Sequence, residues 1–173
     1  ATLKVDPKEL IITSGGTESN NMALIGTALA AKRKGNHIIT TAVEHPSVKA
    51  TASFLEEQGF RITFLSVDSR GQISLEDLKE ALTPDTILVS VMYVNNEIGT
   101  IQPVEEAAKL VHATVPGAVF HVDAIQAYGK VMIRPKQQGI DLLSVSSHKF
   151  HGPKGAGFLY CSSKVNLHPI IFG

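Results

Sequence analysis

Lys149 lies in Ser146-Ser147-His148-Lys149-Phe150-His151-Gly152-Pro153-Lys154-Gly155, a polar bend that directly follows an apolar run. An amine held out of water beside positive charge releases its proton more readily, and the exposed lone pair can attack a carbonyl. A surface salt bridge would use the same residue type, so the amine needs company before it means chemistry. One companion is Asp123, in His121-Val122-Asp123-Ala124-Ile125-Gln126. A carboxylate at the end of an apolar strand is costly unless a cation or a protonated nitrogen stands near it. Another is His45, in Val43-Glu44-His45-Pro46-Ser47. Histidine suits proton transfer near neutral pH and its flat ring suits stacking, although in this string it could equally cap a helix. Thr13-Ser14-Gly15-Gly16-Thr17-Glu18-Ser19-Asn20 turns through two glycines into a helical pattern, where free N–H groups and the helix dipole favour an anion such as phosphate. No Gly-Lys-Ser/Thr follows and the three-glycine dinucleotide fingerprint is missing, so on its own the pair also reads as a plain turn. Asn95-Asn96-Glu97-Ile98-Gly99 offers two adjacent amides as donors, again within a sequence that a turn would explain.

These segments share one position in the pattern: each begins where an apolar run ends. Seven runs read as strands, over 10–13, 37–41, 61–66, 86–92, 118–122, 142–146 and 156–161, several of them apolar on both sides as buried parallel strands are. Helical periodicity fills gaps between them over 18–34, 46–58, 75–82 and 104–112. Gly35 and Gly59 read as helix stops, Ser74 as an N-cap with Asp77 in a loose capping box, and Pro103 as the start of a first turn. The alternation predicts a three-layer α/β/α sandwich with a mainly parallel, seven-stranded sheet. In such sheets the ligand crevice lies beyond the carboxyl ends of the strands, where the polar segments fall.

The chain has 173 residues, 43% apolar and 18% charged, which fits one domain over 1–173. A chain of this size buries roughly 70% of its extended surface, so it needs neither disulfides nor a structural metal. Sixteen Lys plus Arg balance sixteen Asp plus Glu, leaving no overall basic field to attract nucleic acid or an acidic membrane surface. No apolar run approaches the ~20 residues that span a bilayer. The single cysteine, Cys161, excludes an internal disulfide, and the first residues carry no apolar signal region. Those features point to the reducing cytoplasm and to small-molecule partners. The first residue is Ala, so a native start can have been lost.

A phosphate cradle, a stacking histidine, an acid for a ring nitrogen and a Schiff-base lysine are together what pyridoxal 5′-phosphate asks of a protein. The ordered strings Ser-Gly-Gly-Thr-Glu-Ser-Asn-Asn, Glu-His-Pro, Asn-Asn-Glu-Ile-Gly, His-Val-Asp-Ala-x-Gln and Ser-Ser-His-Lys-x-His-Gly-Pro-Lys-Gly are similar to those of cysteine desulfurases of the NifS/IscS type. These are class-V aminotransferases of the type I pyridoxal phosphate fold, and the resemblance runs over 9–172. It implies that Lys149 carries the cofactor as a Schiff base, Asp123 pairs with the pyridine nitrogen and Gln126 contacts the phenolic oxygen. It further implies that Gly16, Thr17, Ser146 and His148 hold the phosphate, His45 stacks on the ring and Asn96 contacts cofactor or substrate. Catalysis would fall to Lys149, His45 and Asp123. The implied reaction takes L-cysteine to L-alanine and leaves the sulfur as a persulfide on an enzyme cysteine.

In this family that cysteine lies well after the lysine, beyond residue 173, and Cys161 reads as an inert strand-end thiol. The small C-terminal domain and a segment before the first strand are missing too, so the chain resembles the cofactor-binding large domain of a longer enzyme and alone would be inactive. The resemblance also implies a homodimer as the complete enzyme, and a sulfur-acceptor protein such as an iron–sulfur scaffold or a tRNA-thiolation protein. A class-V transaminase or a selenocysteine lyase shares the lysine and the acid, and a cofactor-binding fragment without turnover is a third reading. A metallohydrolase using His121, Asp123 and His148 or His151 fits less well, because Lys149 interrupts the ligands and its charge repels a metal, so no metal is expected.

Overall fold

The computed structural model describes residues 2–172. Seven strands form one sheet: β1 (Leu10–Thr13), β2 (His37–Thr41), β3 (Arg61–Leu65), β4 (Thr86–Met92), β5 (Val119–Asp123), β6 (Leu142–Ser146) and β7 (Gly157–Cys161). Their spatial order is β1-β7-β6-β5-β4-β2-β3. β7 pairs antiparallel with both β6 and β1, and every other pairing is parallel, so β7 alone runs against the rest. β2, β4 and β6 are buried along their whole length, as strands covered on both faces must be.

Five helices connect the strands: α1 (Gly16–Ala31), α2 (Pro46–Glu57), α3 (Leu75–Ala81), α4 (Val104–Thr114) and the single turn α5 (Pro135–Gln138). Ala23, Leu24 and Ala28 of α1 and Val48 and Leu55 of α2 pack on Ile38, Leu88, Leu142 and Leu159 on one face of the sheet. Leu78 of α3 and Val104, Ala107 and Val111 of α4 pack on Ile39, Val89, Phe120, Val122 and Leu143 on the other. Each fully buried Val, Leu, Ile or Phe among them contributes about 1.5–3 kcal/mol. The predicted sandwich and its mainly parallel sheet are therefore observed, with strand limits shifted by a residue at most.

One helix end differs from expectation. Gly59 has φ 90° and ends α2 as a left-handed residue, but Gly35 does not adopt positive φ. A Cβ on Gly35 would come within 2.1 Å of the Asp85 carbonyl oxygen, so the glycine there permits close approach to the segment before β4. Ser74 caps α3 by accepting from the Asp77 N–H at 3.2 Å. The bend predicted around Lys149 is a 3₁₀ turn (Ser147–Phe150) ended by His151 at φ 66°. Ser147 Oγ ties the turn to the backbone of Pro153 and Ala156, and a Cβ on Gly152 would lie 2.7 Å from that of Ser147.

Candidate active site

The carboxyl ends of β2, β4, β5 and β6 and the first turn of α1 surround a cleft of about 200 Å³. All nine predicted site residues line it: Gly16, Thr17, His45, Asn96, Asp123, Gln126, Ser146, His148 and Lys149. Ser47, Met92, Val94 and Ile125 complete the wall. These four were not singled out in the sequence, although Ser47 and Ile125 stand inside the strings that carried the other residues. The cleft is thus built by chain segments that only the strand order brings together.

Asp123 ends β5 and is 4% exposed. Its Oδ1 accepts from the Ile125 N–H at 3.0 Å and its Oδ2 from Asn20 Nδ2 at 2.8 Å, so both oxygens are held in acceptor roles. No cationic side chain pairs with it among the described residues, and burial pushes its carboxyl above the usual aspartate range, against those two hydrogen bonds. Next to it, Glu44 is buried as well. Its Oε1 accepts from Thr41 Oγ1 and from the Met92 N–H, both at 2.8 Å, while Oε2 has no partner. Burial, then the charge of Asp123, pushes this carboxyl up to about 8.

His45 is exposed and serves as the N-cap of α2, accepting from the Ser47 N–H at 3.1 Å through Nδ1. The capping and cleft-lining readings therefore both hold, because the ring caps with one nitrogen and borders the cleft. Gly16 is the first residue of α1, and a Cβ there would lie 2.1 Å from Ile125 Cδ1, so any side chain would have to displace the Ile125 side chain that lines the cleft. Ser146 Oγ and His148 Nδ1 lie 2.8 Å apart. Lys149 follows in the 3₁₀ turn and is exposed, not buried as the sequence reading expects, since none of the described residues covers that lip of the cleft. Asn96 and Thr17 are exposed on the rim, and Gln126 is half-buried.

The metal reading fails on geometry. His121 is fully buried, with Nδ1 2.8 Å from Ser90 Oγ and Nε2 2.9 Å from Ser144 Oγ, so both ring nitrogens are already spent on strands β4 and β6. Burial holds its imidazole down at about 3.

The family profile described as aminotransferase class-V matches residues 1–173. Among curated proteins, "Cysteine desulfurase IscS" of Clostridium botulinum is 52% identical over 171 residues, covering 99% of this chain and 43% of that protein. Among solved structures, one titled "NIFS-LIKE PROTEIN" superposes with a TM-score of 0.96 at 42% identity, over 99% of this chain and 47% of the other. A second, "SspA in complex with cysteine", gives 0.94 at 40% identity, over 99% and 50%. The chain spans less than half the length of the curated relatives it matches.

Class-V aminotransferases of the cysteine desulfurase kind depend on pyridoxal 5′-phosphate, and the residues present fit that group. A buried acid without a cationic partner suits a protonated pyridine nitrogen, and a helix that starts on a glycine at the cleft wall presents backbone N–H groups to a phosphate. A profile match over the whole sequence, joined to a superposition at 0.96 and to a cleft with this chemistry, makes the chain a member of the class-V aminotransferase family.

Proposed function

We propose that this chain is the cofactor-binding large domain of a cysteine desulfurase, which converts L-cysteine to L-alanine and passes the sulfur to an enzyme cysteine outside residues 1–173. The observation that carries the reading is a single cleft bordered by Lys149 and by a buried Asp123 that lacks a cationic partner among the described residues. Similarity to proteins named cysteine desulfurase, and to a structure titled as a complex with cysteine, supports L-cysteine over other amino acids.

When bound, pyridoxal 5′-phosphate supplies an aldehyde and a ring that accepts an electron pair from the substrate Cα. Gly16 and Thr17 at the start of α1, with Ser146 and His148 after β6, would hold its phosphate. Asp123 would keep the pyridine nitrogen protonated, Gln126 would meet the phenolic oxygen, and His45 and Asn96 would border the ring and the substrate. Lys149 Nζ would hold the aldehyde group and would be placed to serve as a base for the substrate Cα proton. The protein would act as a homodimer in the cytoplasm and deliver sulfur to an acceptor protein, with an iron–sulfur scaffold or a tRNA-thiolation protein as the chemical type.

The test uses the complete protein. Alanine should appear from L-cysteine, and borohydride should abolish an absorbance band near ~420 nm while fixing the cofactor to Lys149. An adduct on another lysine, or pyruvate or keto acid in place of alanine, overturns the assignment.

A further inference from the structure

We propose that Asn20 and Ser47 are positioning residues that join the Asp123 carboxylate to the His45 imidazole in one directed hydrogen-bond chain, and that this chain, together with the Ser47 N–H, holds the His45 ring in place with its proton on Nε2. The inference rests on the reading above, in which Asp123 meets the ring nitrogen and His45 borders the ring.

Asn20 belongs to α1 and is fully buried. Its Nδ2 lies 2.8 Å from Asp123 Oδ2 and 3.0 Å from Ser47 Oγ. An amide nitrogen only donates, so both oxygens accept. The opposite amide orientation would set Oδ1 against the carboxylate, acceptor facing acceptor, so Asp123 itself selects the orientation. Having accepted from Asn20, the Ser47 hydroxyl has its own hydrogen to give, and His45 Nδ1 stands 2.8 Å away. The Ser47 backbone N–H points at the same nitrogen, and a backbone N–H cannot accept. Nδ1 is therefore the acceptor at the end of the chain, and the neutral ring carries its hydrogen on Nε2, which makes no hydrogen bond among the described residues.

The direction has a functional consequence. A hydrogen bond donated to a carboxylate favours its charged form, so Asn20 counters the burial of Asp123. At the other end, the ring that borders the cleft has its orientation and tautomer set, which leaves Nε2 as the atom able to hand over or take up a proton. Asn20 Oδ1 is buried without a partner, so the amide leaves its acceptor unused while both hydrogens serve the chain. Three elements contribute, the second turn of α1, the first turn of α2 and the end of β5, so a shift of any one would be felt at the others.

The test compares wild type, Asn20→Ala, Ser47→Ala, Ser47→Thr and the Asn20→Ala/Ser47→Ala double variant of the complete protein. In the cofactor-free protein with ¹⁵N-labelled histidine, His45, identified by its loss in His45→Gln, should report Nδ1 unprotonated and Nε2 protonated. The Ser47 N–H stays in place in every variant and keeps Nδ1 an acceptor. Ser47→Ala and Asn20→Ala should therefore each move the Nδ1 shift as the hydroxyl hydrogen bond is lost or loosened, with the proton still on Nε2. With cofactor and L-cysteine, each single variant should lower kcat about tenfold at little change in KM, and the double variant should be no worse than either single one. Ser47→Thr should restore kcat. Wild-type nitrogen shifts in both single variants, or a double variant about a hundredfold down, overturn the chain. Asn20 is buried and its variant can fail to fold, but Ser47→Ala in the half-buried first turn of α2 carries the same test. A wild-type protein that releases no alanine refutes the desulfurase reading and leaves the nitrogen-shift comparison to decide the chain.

Discussion

At the amino end of the sheet, His37 is fully buried among hydroxyls: Nδ1 lies 2.8 Å from Thr86 Oγ1, and Nε2 lies 2.8 Å from Thr63 Oγ1. Thr83 adds a contact at 3.1 Å and passes its own hydrogen to Asp85, which pairs with Arg61 at 3.1 Å. At the carboxyl end, two buried acids lie together, Asp123 has no cationic partner among the described residues, and Asn20 Oδ1 and Glu44 Oε2 have no partner at all. Both ends bury polar atoms at a cost. Only the first settles that cost from within the chain. Self-sufficient polar clusters hold strands in register, whereas an unbalanced one marks where something from outside completes the structure.

Replacing Asp123 with Asn tests that contrast most severely. The carboxylate is desolvated and unpaired, so its removal should leave the melting temperature of the apoprotein unchanged or raised, measured by calorimetry. The same change should lower alanine release by roughly 10²–10³-fold with the cofactor still bound, because a neutral amide does not keep a pyridine nitrogen protonated. A variant that loses stability yet keeps turnover would reverse the comparison.

His37→Ala should do the opposite. It strands three threonine hydroxyls and leaves a cavity, for an expected loss of about 2–4 kcal/mol in urea unfolding, with turnover per folded molecule unchanged. Burial, then nearby Arg61, holds the His37 imidazole down at about 4 against an ordinary 6.5. The unfolded chain therefore binds more protons between those values, and stability should fall as pH drops from 6.5 toward 4. His121 acts in the same direction. His37→Ala should flatten part of that slope.

How much of this contrast was legible in the sequence follows from range. Strand ends, the glycine turn and the positions of Lys149, Asp123 and His45 are local features, visible as apolar runs with polar termini. Their assignment to the opposite poles of one cofactor rests on the resemblance of the strings that hold them to those of a known family. What was hidden depends on partners far along the chain. Asn20 meets Asp123 103 positions away, and Glu44 meets Met92 48 away. Neither the raised pKa of Glu44 nor the link from Asn20 to Ser47 has a local pattern, because both exist only once β5 lies beside β4 and α1 runs next to α2. The exposure of Lys149 is another case: what covers a cleft lip is decided by packing, which the spacing of residues around the lysine does not encode.

Glu44→Gln probes the shared character of the two buried acids with a smaller effect. The Glu44 carboxyl rises from an ordinary 4.5 to about 8, so the folded protein binds its proton more tightly than the unfolded chain does. Its contribution is fully present below 4.5 and is lost as pH rises through 8. Thermal melting of the apoprotein should therefore decline from pH 6 to pH 8.5, and Glu44→Gln, which keeps an acceptor for Thr41 and Met92, should remove the decline. The difference should be on the order of a few degrees at pH 8.5. An unchanged slope would mean that Glu44 is charged in the fold.

The smallest effect belongs to Cys161, and it follows from the one reversed strand. β7 runs against β6 with Cys161 opposite Leu142, so the thiol lies at the start of β6 while Lys149 follows its end. A strand of five residues spans roughly 13 Å at about 3.3 Å per residue, and β6 stands lengthwise between the two groups. Burial, then the charges of Asp141 and Glu9, pushes the thiol up to about 11, so little thiolate exists at neutral pH. Sγ makes only long contacts, at 3.7 Å to the Ser162 and Val165 carbonyls. Cys161→Ser should thus leave alanine release from L-cysteine by the complete protein within error, and cost at most about 1 kcal/mol in urea unfolding. Loss of turnover on that single exchange would mean that sulfur chemistry reaches the amino end of the sheet, and the division of labour between the two ends would fail.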